Sequence, residues 1–214
     1  MTKTSSLFNT HLPPLADRVR PNTISDFIGQ NHLIGSKRII NEMVTKNKYY
    51  SMILWGPPGC GKTTLARIIA KSSESIIYEI SAISSGVKDL RNIFVKSQAN
   101  NDNGISSIIF IDEIHRFSKS QQDALLHAVE EGLIILIGAT TENPSFEIIN
   151  PLLSRCKTLK LKPLDNDALH TILHQSIKSD ILLSQKNIVL NKKIQKKLIR
   201  YSGGDARKML NTFE

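Results

Sequence analysis

The sequence has 214 residues, which is enough for one or two domains with a sizeable core. Its 40% hydrophobic and 22% charged residues are ordinary for a globular protein. The only cysteines, Cys60 and Cys156, exclude a disulfide framework or zinc cluster, and they favour a reducing compartment. No apolar run is long enough to span a membrane, and the N-terminus lacks the apolar stretch of a signal peptide.

The net charge of +9 suits a nucleic-acid partner. A basic excess is often only a solvated surface, and part of the lysine content could reflect biased coding composition. The charge alone therefore leaves both interpretations open.

We predict a flexible N-terminus over residues 1–11, because its first ten residues are largely polar. The N-terminal arm, residues 11–21, follows. Its prolines predict an extended, pinned segment. Packing of this arm on the core and contact with a ligand are equally compatible with the sequence. A helix through residues 39–44 comes next.

A complete phosphate-binding loop, G-x-x-x-x-G-K-[ST], lies between a short apolar strand at residues 52–55 and a helix-forming run at 65–70. Glycines let backbone N–H groups surround a phosphate, and the helix start adds its dipole. Lys62 is expected to reach the β- and γ-phosphates, and Thr63 to ligate Mg²⁺. The alternative is a glycine-rich turn with a surface lysine. The predicted cofactor-binding residues here are Gly56, Pro57, Pro58, Gly59, Cys60, Gly61, Lys62, Thr63 and Thr64.

Further strands are predicted at residues 76–80, 107–111 and 133–139, with helices at 84–99 and 119–131 between them. Apolar runs without alternation are typical of strands buried on both faces, and intervening helices indicate a parallel α/β sheet. In such sheets, ligands bind at the carboxyl ends of the strands.

Asp112 and Glu113 follow the predicted strand at 107–111 directly. Adjacent carboxylates at a buried strand end are unfavourable unless they serve a cation or a reaction. We expect Asp112 to hold Mg²⁺ and Glu113 to act as general base for an attacking water. The alternative is that both cap the following loop.

Two further candidate site residues lie later in the chain, one after the strand at 133–139 and one at the end of a short helix. A polar residue at the end of the strand at 133–139, within Thr140–Asn143, could orient water beside a γ-phosphate, or this could be an ordinary turn. Arg155 ends a short helix predicted from Pro151, ahead of a last strand at 158–161. It could be a surface residue or one presented to a neighbouring subunit.

Beyond residue 162 the pattern becomes all-helical. Asp165 is predicted to cap a first helix, and Gly203-Gly204 to end a second. The second helix carries a basic face that could contact DNA phosphates, although a solvated face is the favoured interpretation. This face consists of Lys192, Lys193, Lys196, Lys197 and Arg200.

Several runs resemble the AAA+ ATPases of the clamp-loader clade, from about residue 12 onward. The specific ones are Pro-Leu-Ala-Asp-Arg-Val-Arg-Pro at 14–21, Asp-Glu-Ile-His-Arg-Phe at 112–117 and Gly-Ala-Thr-Thr-Glu-Asn-Pro-Ser-Phe at 138–146. Ser-Arg-Cys at 154–156 and Gly-Asp-Ala-Arg at 204–207 complete the resemblance.

The resemblance implies that residues 18–21 and 28–29 contact adenine and that Thr141 is sensor 1. Arg155 would be the arginine finger that completes a neighbour's site, and Arg207 would be sensor 2. It also implies ATP hydrolysis with Mg²⁺, self-association and work on single-stranded or gapped DNA. Single-strand binding protein or replisome components are expected partners, and the expected location is the bacterial cytoplasm, associated with the nucleoid.

We therefore predict an α/β, P-loop AAA+ ATPase domain at residues 12–162, with a parallel sheet flanked by helices, and a small, partial helical lid at 163–214. Family members continue into a C-terminal domain that carries tetramerisation, whereas this sequence ends at Glu214. We expect an incomplete lid, and self-association of this chain stays open. The alternative functions are a clamp-loading ATPase subunit and a truncated ATP-binding remnant that does not hydrolyse.

Overall fold

The computed structural model describes residues 12–214, so the predicted flexible segment 1–11 lies outside the described residues. The strands are β1 (Met52–Trp55), β2 (Ile76–Ser81), β3 (Ser107–Asp112), β4 (Ile135–Thr140) and β5 (Lys157–Lys160). The helices are α1 (Leu15–Arg18), α2 (Asn31–Ile34), α3 (Ile39–Thr45), α4 (Lys62–Ser72), α5 (Val87–Asp102), α6 (Lys119–Glu130), α7 (Pro144–Glu147), α8 (Asn150–Arg155), α9 (Asn166–Ser179), α10 (Lys192–Ser202) and α11 (Ala206–Phe213). A 3₁₀ turn spans Ile114–Arg116.

All five strands pair in parallel, in the order β2-β3-β4-β1-β5. The predicted parallel sheet flanked by helices is therefore confirmed. Its three inner strands β3, β4 and β1 are almost wholly buried, whereas β2 lies at an edge and is partly exposed. The unbroken apolar runs were therefore a true signal of burial on both faces.

A separate apolar cluster covers each face of the sheet. On one face α3 and α4 pack through residues such as Ile40 and Leu65, and on the other α5, α6 and α8 pack through Leu90, Leu125 and Leu152. These five side chains are at most 1% exposed. Burial of such side chains stabilises the fold by roughly 1.5–3 kcal/mol each. It fixes the strand ends on which polar residues are displayed.

The predicted boundary at residues 162–163 falls between β5 and α9, and helices α9 to α11 then form their own cluster. The predicted caps are confirmed. Asp165 accepts a hydrogen bond from the Ala168 amide at 2.8 Å, and Gly203 follows α10 with a φ of 61°. Within residues 12–214, no helix combines the length and apolarity that crossing a bilayer requires.

The prediction that the N-terminal arm is extended was wrong over four residues, because α1 forms there. Pro14 has a φ of −52° just before the first helical residue, and proline is compatible with a helix start. The turn brings Leu15 into the lid cluster with no exposure. The arm is therefore pinned, but by one helical turn rather than by extended backbone.

Arg18 ties the arm to the helical lid. Its Nε lies 2.7 Å from Asp180 Oδ2, and its Nη1 lies 2.7 Å from Glu214 Oε1. The Leu15 amide also donates to Glu214 Oε2 at 2.8 Å. The Asp180 side chain is 1% exposed, and its bond with Arg18 is the largest factor that lowers the pKa of this carboxyl.

We expect Asp180→Asn to lower the free energy of unfolding at pH 7 by about 3 kcal/mol, because it leaves Arg18 without a buried counter-charge. A lowered folded-state pKa stabilises above the unfolded value of about 3.9, and the contribution is lost as the pH falls through the folded value. Urea unfolding between pH 7 and pH 3 should therefore show the two proteins converging in acid. Exposed Asp123→Asn is the control, and an equal gap at every pH would contradict the prediction.

Candidate functional site

The carboxyl ends of β1, β3 and β4 meet at one edge of the sheet. Trp55 is paired with Thr140, so Gly56 and Thr141 begin side by side. Ile111 is paired with Gly138, so Glu113 lies level with Thr140. The register therefore brings the phosphate loop, the acidic pair and the loop after β4 together.

In the phosphate loop, residues 56–63, the lysine side chain bonds to the backbone of the loop itself. Lys62 is 7% exposed, and its Nζ donates to the carbonyls of Gly56 at 2.8 Å and Pro57 at 2.9 Å. Among residues 12–214, the amides of Gly59, Gly61 and Thr63 donate to no acceptor. Free amides beside a helix start and a buried ammonium form a site suited to an anion.

At two positions of the loop, neighbouring side chains lie so close to the backbone that only glycine fits. Gly59 has a φ of 65°, and a Cβ built there would lie 1.8 Å from Asp205 Oδ1. Gly61 has a φ of 101°, and its Cβ would lie 2.7 Å from Phe27 Cζ. The loop therefore fits closely between the helical lid and the Phe27 ring.

The acidic pair lies against the phosphate loop. Thr63 Oγ1 donates to Asp112 Oδ2 at 3.4 Å, and Asp112 Oδ1 accepts from the Glu113 amide at 3.2 Å. Glu113 has a φ of 55°, a left-handed conformation that is unusual for this residue type. A hydroxyl and a carboxylate that converge from two elements are ligands that Mg²⁺ accepts, with water and phosphate oxygens as the remainder.

A cavity of about 750 Å³ opens above this edge. Its polar side is formed by residues 58–64, Asp112, Glu113 and Thr141, and its apolar surface by Val19, Phe27 and Ile28. Arg207 of α11 also lines it, as do Arg18, Arg20 and Pro21 of the arm. Most predicted site residues therefore surround one space of the size that a nucleotide requires.

Three predicted site residues do not line this cavity: Gly56 and Pro57 at the start of the phosphate loop, and Arg155. Arg155 differs from the other two because it lies on α8. Its Nη2 lies 2.5 Å from Glu130 Oε1, and its Nη1 donates to the Pro151 carbonyl at 3.0 Å. The Arg155 side chain is 42% exposed. An exposed ion pair of this kind contributes at most about 1 kcal/mol, so Arg155 could leave it readily for another anion.

Neither cysteine suits nucleophilic chemistry. Burial raises the pKa of the Cys60 thiol, and burial raises the pKa of Cys156 to about 12. Both thiols therefore stay protonated near neutral pH. Cys60 is a small packing residue within the phosphate loop.

A family model described as "ATPase family associated with various cellular activities (AAA)" matches residues 52–164, more than half of the chain. The chain belongs to the AAA ATPase family. The matched range runs from β1, just before the phosphate loop, to the start of the helical lid, so it contains the loop, the acidic pair and Thr141. The AAA chain therefore has a nucleotide-binding fold, and the resemblance predicted from its motifs is confirmed.

The chain is 44% identical over 209 residues to replication-associated recombination protein A of Coxiella burnetii. The aligned region covers 97% of this chain and 47% of that protein. It is also 44% identical over 201 residues to ATPase WRNIP1 of Dictyostelium discoideum, and this aligned region covers 94% of this chain and 23% of that protein. The chain thus spans less than half the length of these curated relatives. The motif runs at 112–117 and 138–146 also resemble replication-associated recombination protein A.

Among solved structures, the AAA chain is similar to the Holliday junction branch migration motor RuvB of Thermotoga maritima. The TM-score is 0.71 at 27% identity, over 89% of this chain and 62% of that one. The similarity extends into the helical lid, since residues 1–162 alone are too few to make up 89% of the chain.

Sequence reasoning missed three residues that shape the site. Gln30 is 6% exposed, and it donates to the Lys162 carbonyl at 2.7 Å and accepts from the Lys162 amide at 2.9 Å. Phe27 packs on Gly61, and His115 contacts Glu113. Gln30 and Phe27 contact residues that lie far away in the sequence. His115 is close to Glu113 in the sequence, but its role depends on Thr140, which is distant. Only the histidine inside the acidic motif offered a sequence signal.

Proposed function

We propose that this chain binds ATP with Mg²⁺ and hydrolyses it to drive work on DNA in replication-fork maintenance, recombination and repair. The observation that carries the proposal is the contact between Thr63 and Asp112 at 3.4 Å, with Lys62 and Glu113 on the same cavity. This contact joins the phosphate loop to the acidic pair. The names of the similar replication, recombination and branch-migration proteins support the link to DNA.

Each residue has a proposed role. Lys62 and the free loop amides bind the phosphates, Thr63 and Asp112 hold the metal ion, and Val19, Phe27 and Ile28 accept the base. Glu113 takes the proton of the attacking water, Thr141 orients that water, and Arg207 contacts the phosphates from the lid. Bound Mg²⁺ would neutralise charge that develops on the phosphate oxygens.

Arg155 is proposed to act in the site of a neighbouring subunit. Its exposure, and its absence from the lining of the cavity in its own chain, support this role, because a residue acting in cis would line that cavity. Isolated monomers should therefore bind ATP but turn over slowly.

We expect Lys62→Ala to weaken ATP binding by about 10- to 100-fold, because a charged hydrogen bond contributes roughly 1.5–3 kcal/mol. Titration with a fluorescent ATP analogue measures the affinity, and phosphate release measures hydrolysis. Lys71→Ala is the matched control, since Lys71 lies on the same helix and contacts Asn22. Unchanged affinity in Lys62→Ala would refute the site, and binding without phosphate release by the unsubstituted chain would favour the non-hydrolysing alternative.

DNA is the proposed partner, and the basic face of α10 is its proposed contact. The five basic residues of this face are exposed, and none forms an ion pair in the described part of the chain. α10 has no acidic residue to offset them. A helix of this charge attracts phosphates through counterion release.

We expect replacement of Lys192, Lys196 and Arg200 by glutamine to lower the slope of log affinity for single-stranded DNA against log salt by about 2, at roughly 0.7 per lost phosphate contact. Fluorescence anisotropy over a salt series measures the slope. The control replaces Lys37, Arg38 and Lys48, which removes the same charge around α3. Equal slopes in the two variants would count against α10.

A further inference from the structure

His115 lies in the turn directly after Glu113 and contacts two residues at once. Its Nδ1 is 2.9 Å from Thr140 Oγ1 and 3.2 Å from Glu113 Oε2. The His115 side chain is 9% exposed, and Thr140 is fully buried. Neither residue lines the cavity, whereas Glu113 does. The pair therefore contacts the carboxylate from outside the cavity.

The two contacts of Nδ1 favour one tautomer of the ring. Nδ1 lies 3.2 Å from Glu113 Oε2, and a hydrogen on Nδ1 is the assignment that makes its contact with a carboxylate attractive. Thr140 Oγ1 then accepts from His115 Nδ1 and from the Glu142 amide at 3.0 Å. Its own hydrogen points to the Glu142 carbonyl at 3.5 Å. Every donor in this arrangement has an acceptor.

Thr140 also joins this network to the phosphate loop. The Gly56 amide donates to the Thr140 carbonyl at 3.2 Å, and Lys62 donates to the Gly56 carbonyl at 2.8 Å. A continuous set of contacts therefore runs from Lys62 through Thr140 and His115 to Glu113. Lys62, Thr140 and His115 are at most 9% exposed, and a hydrogen bond restrains a buried side chain strongly, whereas Glu113 at the end of the set is 29% exposed.

We propose that His115, oriented by Thr140, is a positioning residue that holds the Glu113 carboxylate for proton abstraction. The proposal rests on the proposed ATP hydrolysis. Oε2 is the carboxylate oxygen nearest to the ring, at 3.2 Å from Nδ1, while Oε1 makes no hydrogen bond with any residue in the range 12–214. One oxygen is thus restrained by the protein and the other is left for the water that Glu113 activates. The left-handed backbone of Glu113 gives the side chain its direction, and His115 fixes its end.

The test compares three substitutions of His115. Asparagine places its amide N–H near the position of Nδ1, glutamine places it nearer to that of Nε2, and leucine has no donor. If Nδ1 positions Glu113, His115→Leu and His115→Gln should lower kcat by about 10- to 100-fold, as a small misplacement of a catalytic group does. His115→Asn should retain kcat within about threefold. ATP affinity should change less than about twofold in all three.

A second pair of substitutions is made at Thr140, and an exposed histidine is substituted as the control. Thr140→Val removes the hydroxyl at constant shape and should lower kcat, whereas Thr140→Ser should keep it. His170→Leu alters an exposed histidine on α9 outside the cavity and should leave kcat unchanged. An unaltered kcat in His115→Leu, or an equal loss in His115→Asn, would overturn the proposal. Parallel losses of kcat and ATP affinity would overturn it as well, since they indicate structural damage.

The ring nitrogens give a readout that does not need hydrolysis. In a long-range ¹H–¹⁵N spectrum of the full chain, the His115 signal, identified by its loss in His115→Asn, should show a protonated Nδ1. An Nδ1 without hydrogen would overturn the inference. If the unsubstituted chain releases no phosphate, the proposed function fails, and this spectrum still decides whether His115 donates to Glu113.

Discussion

Replacing Glu113 with glutamine is expected to leave ATP binding intact and to lower the rate of hydrolysis by about 10²- to 10⁴-fold. Glutamine keeps the size of the side chain and can still contact His115, but its amide cannot take a proton from water. Thr63, Asp112 and Lys62 are unaltered, so the phosphates and metal should bind as before. Single-turnover phosphate release and a fluorescent ATP titration separate the two effects.

The matched control for this variant is Glu131→Gln. Glu131 is exposed at the end of α6 and does not line the cavity. The Glu131→Gln variant should therefore hydrolyse ATP at the rate of the unsubstituted chain. If Glu113→Gln keeps its turnover, another group activates the water. If it loses ATP affinity instead, Glu113 serves the binding of the ligand and not the reaction.

Substitution of Arg155 by alanine is expected to lower the turnover of assembled protein by about 10³-fold or more, the effect of an arginine supplied in trans. The substitution removes only a weak surface pair with Glu130, so the free energy of unfolding should change by no more than about 1 kcal/mol. A monomeric preparation should show no loss, since no neighbour receives the guanidinium. Turnover is measured against protein concentration, alongside the mass in solution.

Mixing two inactive variants provides the decisive control for Arg155. In Glu113→Gln the arginine is intact, and in Arg155→Ala the carboxylate is intact. If sites form between subunits, a mixture should regain activity, because some interfaces combine both intact groups. A mixture that is no more active than its parts would show that Arg155 does not act across an interface. Arg91→Ala, on the exposed face of α5, checks for general loss of an arginine.

The sheet was predictable because its determinants are local. Apolar runs such as residues 107–111 and 133–139 indicate strands buried on both faces, and helices between them impose parallel pairing. The same rule places Asp112 and Thr141 at one edge, beside the phosphate loop. These positions follow from chain order and strand direction alone.

The remaining contacts depend on partners far apart in the chain. Arg18 reaches Asp180 and Glu214, and a pattern of charges on its own does not select one pairing among many. Likewise, His115 gains its role from Thr140, 25 residues away, through the register of β3 and β4. Local rules also failed where two tendencies competed, since Pro14 can begin a helix as well as extend the arm.

The ties made by Arg18 mean that the backbone passes between the sheet and the helical lid at two points. Arg18 is bonded to the lid, whereas Arg20 donates to Thr64 at 3.3 Å on the sheet side, so one passage is at Val19. Gln30 holds Lys162 to the sheet, and Leu164 belongs to the lid cluster, so the other is at Pro163. The lid also contacts the phosphate loop itself, because the Ala206 amide donates to the Gly59 carbonyl at 3.3 Å. The position of the lid is therefore coupled, through its own backbone, to the loop on which a phosphate would bind.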